Sequence, residues 1–124
     1  MEISKNSVND VTVARLAGIL DSSTAGDLHA EILPMLMEGR PLLLDFGEVS
    51  HVSDAGLRTM LVIYRQAQCV DGRVAVVGLN PDLRSALAAT GFLRFFAVAD
   101  DLAGGLAALG TSEAGTEHRR SVAA

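Results

Sequence analysis

The sequence predicts an α/β fold, in which a mixed sheet of four to five strands packs against about four helices. Short apolar runs that suit strands alternate along the chain with longer amphipathic segments that suit helices. Hydrophobic residues make up 49% of the 124 residues and charged residues 20%, as in one globular domain with a single core. From residue 41 onward the pattern is strand, helix, strand, which predicts parallel strands joined by a right-handed crossover.

The bulk composition excludes several classes of protein. The net charge of −5 argues against direct nucleic-acid binding, which usually requires a basic stripe. The single cysteine, Cys69, forms no internal disulfide, which is compatible with a reducing cytosol. The first ten residues resemble no secretory signal, and no apolar run approaches the roughly 20 residues that span a bilayer. We therefore expect a soluble, cytoplasmic protein without membrane insertion.

The first two predicted strands are residues 2–7 and 11–17, joined by a turn at Asn9 and Asp10. In the second of them, VTVARLAG, apolar and polar residues alternate as in a strand with one buried face. These two strands should therefore form a hairpin.

The first predicted helix lies within GILDSSTAGDLHAEILPMLMEG. The hydroxyl residues of DSST can cap its start, as Ser22, Ser23 or Thr24. Pro34 falls inside the helical pattern and should kink or shorten the helix, and Gly39 is its natural end. The apolar residues at helical spacing are Ala25, Leu28, Ile32, Leu33 and Leu36.

The most informative stretch is residues 41–69, PLLLDFGEVSHVSDAGLRTMLVIYRQAQC. It predicts a buried strand at 42–46, a polar turn, and an amphipathic helix from about 54 to 69. Ser53 has the chemistry of a helix N-cap, because its side-chain oxygen accepts free N–H groups of the first turn. Asp54 places a negative charge at the positive end of the helix dipole.

The remaining elements follow in the same alternation. RVAVVGL predicts a further buried strand, Asn80 precedes the helix PDLRSALAAT, and Gly91 closes that helix. LRFFAVA predicts a short last strand, and DLAGGLAAL predicts a fourth helix that starts at Asp100 or Asp101 and is weakened by its two glycines. We expect one domain over residues 1–109 and a disordered tail over 110–124.

Three segments carry a family resemblance. They resemble segments of the STAS domain of bacterial anti-sigma factor antagonists and occur in the same order along the chain: GILDSSTA, LLLDFGEVSHVSDAGLRTML and GLNPDLRSALAATGFLRFF. The resemblance extends from residue 1 to about residue 109 and implies a STAS-like fold.

The resemblance implies partner switching, a binding function without catalysis. In this family the antagonist binds an anti-sigma factor of the histidine-kinase-like ATPase type, which is also a serine kinase, and the sigma factor is released. Phosphorylation of a serine at the strand-to-helix junction breaks the complex, and a phosphatase restores it.

The chain departs from the family pattern at this junction. Where many members have Asp-Ser-Ser-Gly-Leu or Ser-Ser-Ala-Gly-Leu, this chain has Ser-Asp-Ala-Gly-Leu. Ser53 is the remaining hydroxyl of the motif and the candidate for phosphorylation. Three interpretations stay open: Ser53 and Asp54 only cap the helix, Ser53 is phosphorylated, or Asp54 supplies a permanent charge. The switch loop implied by the resemblance comprises Asp45, Ser53, Asp54, Ala55 and Gly56.

A helical wheel divides the helix at 54–69 into two faces. The face expected to pack on the sheet carries Leu57, Met60, Leu61, Tyr64 and Ala67. The opposite face carries Arg58, Thr59, Val62, Arg65, Gln66 and Cys69. Val62 is apolar among polar neighbours, so it is either a partner contact or an ordinary exposed valine. The partner-binding candidates are Arg58, Thr59, Val62 and Gln66.

No residue pattern predicts catalysis, a metal or a cofactor. His29, His51 and His118 lack metal-ligand spacing, and no nucleotide-binding motif is present. Cys69 is interpreted as a small packing residue, and Asp45 as a residue that fixes the loop through hydrogen bonds to the backbone.

Two rival functions remain. The first is a non-phosphorylated STAS subunit of another assembly, such as a stress-signalling scaffold or a lipid-transport ATPase complex. The second is a small ligand-binding protein or enzyme with a site at the same junction. The sequence leaves the oligomeric state open.

Overall fold

The computed structural model describes residues 1–91, 94 and 96–110, and within them strands and helices alternate as the sequence predicts. Both the mixed five-stranded sheet and the four helices are confirmed. The elements are β1 (Glu2–Val8), β2 (Val11–Leu20), α1 (Ala25–Met37), β3 (Leu42–Val52), α2 (Asp54–Cys69), β4 (Val74–Val77), α3 (Pro81–Ala89), β5 (Ala97–Ala99) and α4 (Leu102–Ala108).

The five strands lie in the sheet in the same order as in the chain. β1 and β2 form the predicted antiparallel hairpin, and both turn residues have the positive φ of a two-residue hairpin turn, 52° at Asn9 and 66° at Asp10. β2, β3, β4 and β5 are parallel neighbours, so the predicted β3–α2–β4 unit is confirmed.

The two faces of the sheet are covered unequally. The larger core lies beneath α1, α2 and α3, and a smaller core of six buried residues lies on the other face, where α4 packs. A Cβ atom at Gly105 would lie 2.6 Å from both Leu43 Cδ1 and Val77 Cγ1. Gly105 therefore lets α4 approach the sheet, which the helix-weakening interpretation of the glycines did not foresee.

β3 is longer than predicted. The stretch expected as a polar turn continues the strand to Val52, and a single residue, Ser53, separates the strand from α2. The strand persists because β2 also continues, pairing Gly18 with Val49 and Leu20 with Val52. The prediction of a turn after residue 46 was wrong.

α1 also differs in detail from the prediction. The helix passes through Pro34 and runs to Met37, so it is not shortened at the proline. Pro34 lies on the exposed side of the helix, away from the core. Gly39 has φ +80°, which fits its predicted place just after the helix.

Two predictions lie outside the described residues. The tail predicted over 110–124 lies outside them except for Gly110, and residues 93 and 95 of LRFFAVA also lie outside. The strand expected in that segment is formed by Ala97–Ala99. Among the described residues, no helix is long and apolar enough to cross a membrane.

Candidate functional site

The predicted functional centre is the junction between β3 and α2, which we define as residues 52–56. Ser53 has extended backbone angles, φ −87° and ψ 176°, and its Oγ accepts the N–H of Gly56 at 3.3 Å. Its own N–H donates to the carbonyl oxygen of Leu20 at 2.9 Å. Ser53 is thus the N-cap that the sequence predicts, and it also ties the start of α2 to the end of β2.

Gly56 is required at the junction by a close approach between backbones. A Cβ atom at this position would lie 2.7 Å from the Leu20 carbonyl oxygen and 3.1 Å from Val52 Cγ1. Gly56 is buried, and its φ is not in the left-handed region. The glycine of the motif therefore lets α2 begin directly against the end of β2.

The two residues between Ser53 and Gly56 differ in exposure. Asp54 is exposed at the first helical position, and Ala55 is half-buried. Within the described part of the chain, no cationic side chain forms an ion pair with Asp54. Its negative charge lies where the helix dipole favours an anion.

The loop between β2 and α1 lies beside the junction because Leu20 precedes it directly. The carboxylate of Asp21 accepts the hydroxyl of Ser23 at 2.7 Å and its N–H at 2.9 Å. Both hydrogen bonds lower the pKa of the Asp21 carboxyl, and the one from the Ser23 hydroxyl has the larger effect. Thr24 occupies the N-cap position of α1 without a capping bond, since its Oγ1 accepts the N–H of Asp21 at 2.9 Å and not one from the first turn of the helix.

Asp45 lies inside β3, far along the strand from the junction, so its assignment to the switch loop was wrong. Its Oδ1 accepts the N–H of Gly47 at 2.8 Å, and its Oδ2 lies 3.4 Å from Arg15 Nε. The register with β2 shifts next to this position, because β3 carries an extra residue there. The expected hydrogen bond to the backbone is present, and it holds a bulge within the strand.

The buried face of α2 is rotated from the one that the wheel predicts. It is formed by Gly56, Met60, Ile63 and Ala67, of which Gly56 and Ile63 were not predicted. Three of the residues expected on this face are only partly buried at the edge of the larger core: Leu57, Leu61 and Tyr64. The wheel omitted Gly56, which has no side chain, and Ile63, which lies between Met60 and Ala67 on the buried face.

The predicted partner-binding residues separate into two groups. Arg58 and Val62 are exposed, and 42% of Val62 is accessible. Thr59 and Gln66 are half-buried, and Gln66 Oε1 lies 2.8 Å from Nε2 of His29 on α1. Thr59 and Gln66 thus flank the buried face instead of lying opposite it. Cys69 is exposed, so its interpretation as a packing residue was wrong.

The described residues do not form a metal centre. No group of three or more His, Cys, Asp or Glu side chains among them is placed to hold a metal ion. An open cleft of about 580 Å³ lies at the far end of β2 from the junction, lined by Lys5, Asn6, Ser7, Thr12, Glu38 and Arg40.

Comparison with known proteins gives consistent similarities. The family model of the STAS domain matches residues 2–105. BtrV of Bordetella bronchiseptica, named as a candidate anti-sigma factor antagonist, is 31% identical over 113 residues, which cover 90% of this chain and 97% of BtrV.

Two solved structures share the fold. An anti-sigma factor antagonist from Mycobacterium paratuberculosis has a TM-score of 0.78 at 24% identity, over 86% of this chain and 92% of that one. SpoIIAA of Bacillus in its phosphorylated form has a TM-score of 0.61 at 20% identity, over 81% of this chain and 93% of that one.

Proposed function

Because the chain belongs to the STAS domain family, we propose that it is an anti-sigma factor antagonist, which binds an anti-sigma factor and thereby releases a sigma factor. Similarity to BtrV over nearly the whole of both chains carries this proposal. The junction supports it, since α2 begins one residue after β3 and presents Asp54 and Arg58 to solvent beside the half-buried Ser53. The protein acts in the cytoplasm as a binding protein without catalysis.

The proposed partner is an anti-sigma factor of the histidine-kinase-like ATPase type with serine kinase activity. It contacts the junction and the outward side of α2, where Arg58 and Val62 are accessible. Thr59 and Gln66 are half-buried beside α1, so they support this surface and contribute less contact area.

Ser53 is the proposed phosphorylation site. A phosphate adds about −1.5 to −2 charges and three acceptor oxygens. At the start of α2 its oxygens can accept the N–H groups of the first turn, including the Gly56 N–H that Ser53 Oγ accepts now. The fold therefore tolerates the phosphate, and its charge and bulk act on the partner. The phosphorylated form of SpoIIAA supports the idea that this fold accommodates such a group.

The test of this proposal uses purified anti-sigma factor ATPases from the source genome. Each is mixed with the wild-type chain, and complex formation is measured by calorimetry without ATP. The mixture is then incubated with ATP, and intact mass reports whether one phosphate is added. Wild type and Ser50→Ala should be phosphorylated and released, whereas Ser53→Ala should bind without modification. Ser50 is a matched control, because it is an exposed serine three residues earlier on β3.

The permanent-charge alternative predicts a different outcome for Asp54. If Asp54 sets the binding state, Asp54→Asn changes the affinity while no phosphate is found on any serine. Asp54 carries about half the charge of a phosphate in a smaller planar group, so it is a poor substitute for one. Binding that is insensitive to Asp54→Asn, together with no phosphate on Ser53 of the wild type, would leave only helix capping for this pair.

A second candidate function is that of a non-phosphorylated STAS subunit of another assembly. The observation that favours it is the motif itself, where Asp54 and Ala55 occupy positions at which many members carry serine. Copurification from the source cell distinguishes the two functions. An ATPase-type kinase among the retained proteins supports the antagonist, and a transport ATPase or permease supports the second candidate.

A further inference from the structure

The outward side of α2 forms a continuous ridge. Arg58, Val62, Arg65 and Cys69 follow one another at intervals of four, three and four residues, which aligns them along one side of a helix. All four are exposed. We call these four residues the outer ridge.

The two arginines of the outer ridge lack acidic partners. Among the described residues, no carboxylate lies within ion-pair distance of either guanidinium group. The whole of α2 contains one acidic residue, Asp54, although the net charge of the chain is −5. The ridge is therefore a local positive patch around an apolar centre. Three other cations are paired in the same structure: Lys5 with Glu38, Arg15 with Asp45, and Arg84 with Asp100.

Resting on the proposed function, we infer that the outer ridge docks onto the anti-sigma factor, on an apolar pocket flanked by carboxylates. Arg58 and Arg65 are seven residues apart, so their Cα atoms are separated by roughly 10 Å along the helix axis. Val62 lies between them and fills the pocket. A guanidinium group binds a carboxylate through two parallel hydrogen bonds, which fixes the helix on its partner.

This chemistry of the partner also explains the proposed switch. Ser53 lies five residues before Arg58, at the end of α2 from which the ridge starts. A phosphate on Ser53 adds about two negative charges close to the partner's pocket, whose flanking carboxylates bind the outer ridge. Repulsion between like charges then opposes the complex without any change in the fold.

The experiment measures binding kinetics between the full chain and the purified ATPase-type anti-sigma factor at several NaCl concentrations. The double variant Arg58→Gln/Arg65→Gln should lose about tenfold or more in affinity, mainly through slower association, and its affinity should depend less on salt. The matched control is Arg40→Gln/Arg84→Gln, which lowers the net charge by the same two units elsewhere on the surface. The control should bind like wild type, and Val62→Ala should weaken binding without changing the salt dependence.

The outcomes separate this inference from the proposed function. Wild-type binding that survives Arg58→Gln/Arg65→Gln unchanged overturns the docking surface and leaves the antagonist function standing. An equal loss in both double variants overturns it as well, because net charge alone would then be responsible. A wild-type chain that binds none of the anti-sigma factors overturns both. If sedimentation shows that the ridge variant dissociates a homodimer, the occupant is a second copy and the inference fails.

Discussion

The two halves of β3 differ in almost every respect. From Leu42 to Asp45 the strand is paired on both sides, with β2 and β4, and its first three residues are fully buried. From residue 46 to Val52 it pairs only with β2, carries two register shifts, and turns every third residue inward. The first half belongs to the core of the domain. The second half keeps Phe46 and Val49 in the larger core and leads the chain to Ser53, where the proposed function lies.

This difference separates the residues that stabilise the fold from those that present the site. Substitutions in the first half should act mainly on the free energy of unfolding. Substitutions at the end of the second half should have smaller effects on stability and larger effects on partner binding.

The largest expected effect is that of Leu44→Ala. Leu44 is fully buried in the larger core, so removing its side chain should cost about 3 kcal/mol of unfolding free energy. Val49→Ala, in the second half, removes a smaller buried side chain and should cost about 1.5 kcal/mol. Urea denaturation of both variants measures the difference. Equal costs would show that the two halves contribute alike, and a larger cost for Val49→Ala would show that the second half contributes more.

Gly56→Ala should have the next largest effect on the free energy of unfolding. Its Cβ would lie 2.7 Å from the Leu20 carbonyl oxygen, so α2 must shift, at a cost of about 2 kcal/mol. Gly26→Ala is the matched control, since a Cβ at that helical glycine meets no atom within 4 Å and should stabilise α1 by about 0.5–1 kcal/mol. Thermal denaturation and partner affinity are measured for both. If Gly56→Ala preserves both quantities, the close approach is not needed for the site.

Loss of the cap at Ser53 should have a smaller effect. Ser53→Ala should cost about 0.5 kcal/mol, because Ser53 Oγ accepts its hydrogen bond at 3.3 Å. Asn80→Ala, at the start of α3, should cost about 1 kcal/mol, since Asn80 Oδ1 accepts the Leu83 N–H at 2.8 Å. Chemical denaturation ranks the two caps. A greater loss at Ser53 would mean that the junction contributes more to stability than its geometry indicates.

The smallest expected effect concerns pH and lies at the other end of β2. The hydrogen bond from Lys5 lowers the pKa of Glu38 below its ordinary value of 4.5. Above that value the carboxylate is ionised in both states and its pairing stabilises the native state. As the pH falls through and below it, the unfolded chain is protonated first and this contribution is lost.

The pH dependence is tested with Glu38→Gln and Lys5→Gln. The difference in melting temperature between wild type and either variant should be small near neutral pH and should shrink in acid. A difference that grows as the pH falls would contradict the assignment of the lowered pKa to this pair.

Much of the fold follows from sequence pattern alone. The parallel crossover, the hairpin turn and the caps at Ser53 and Asn80 depend on local chemistry, which a sequence displays directly. The second half of β3 could not be predicted in this way. Its two bulges place the inward residues Phe46, Val49 and Val52 three positions apart, so the alternation typical of a strand is absent from the sequence.

The site was predictable in position and less so in detail. Ser53, Asp54 and Gly56 lie at the junction as their chemistry indicates, but the role of Gly56 depends on Leu20, a residue distant in sequence. The partner of Gln66 is His29, on another helix. Contacts between separate elements set these roles, and a pattern within one segment does not contain them.

The strand order has a consequence for how the protein is made. Since the order in the sheet equals the order in the chain, each strand that leaves the ribosome pairs with the strand synthesised just before it. The hairpin of β1 and β2 joins residues that are close in sequence, whereas Thr12 pairs with Leu42 and Leu42 with Val74 across a helix. The hairpin should therefore form first, and each parallel strand should add later, once its helix has been synthesised.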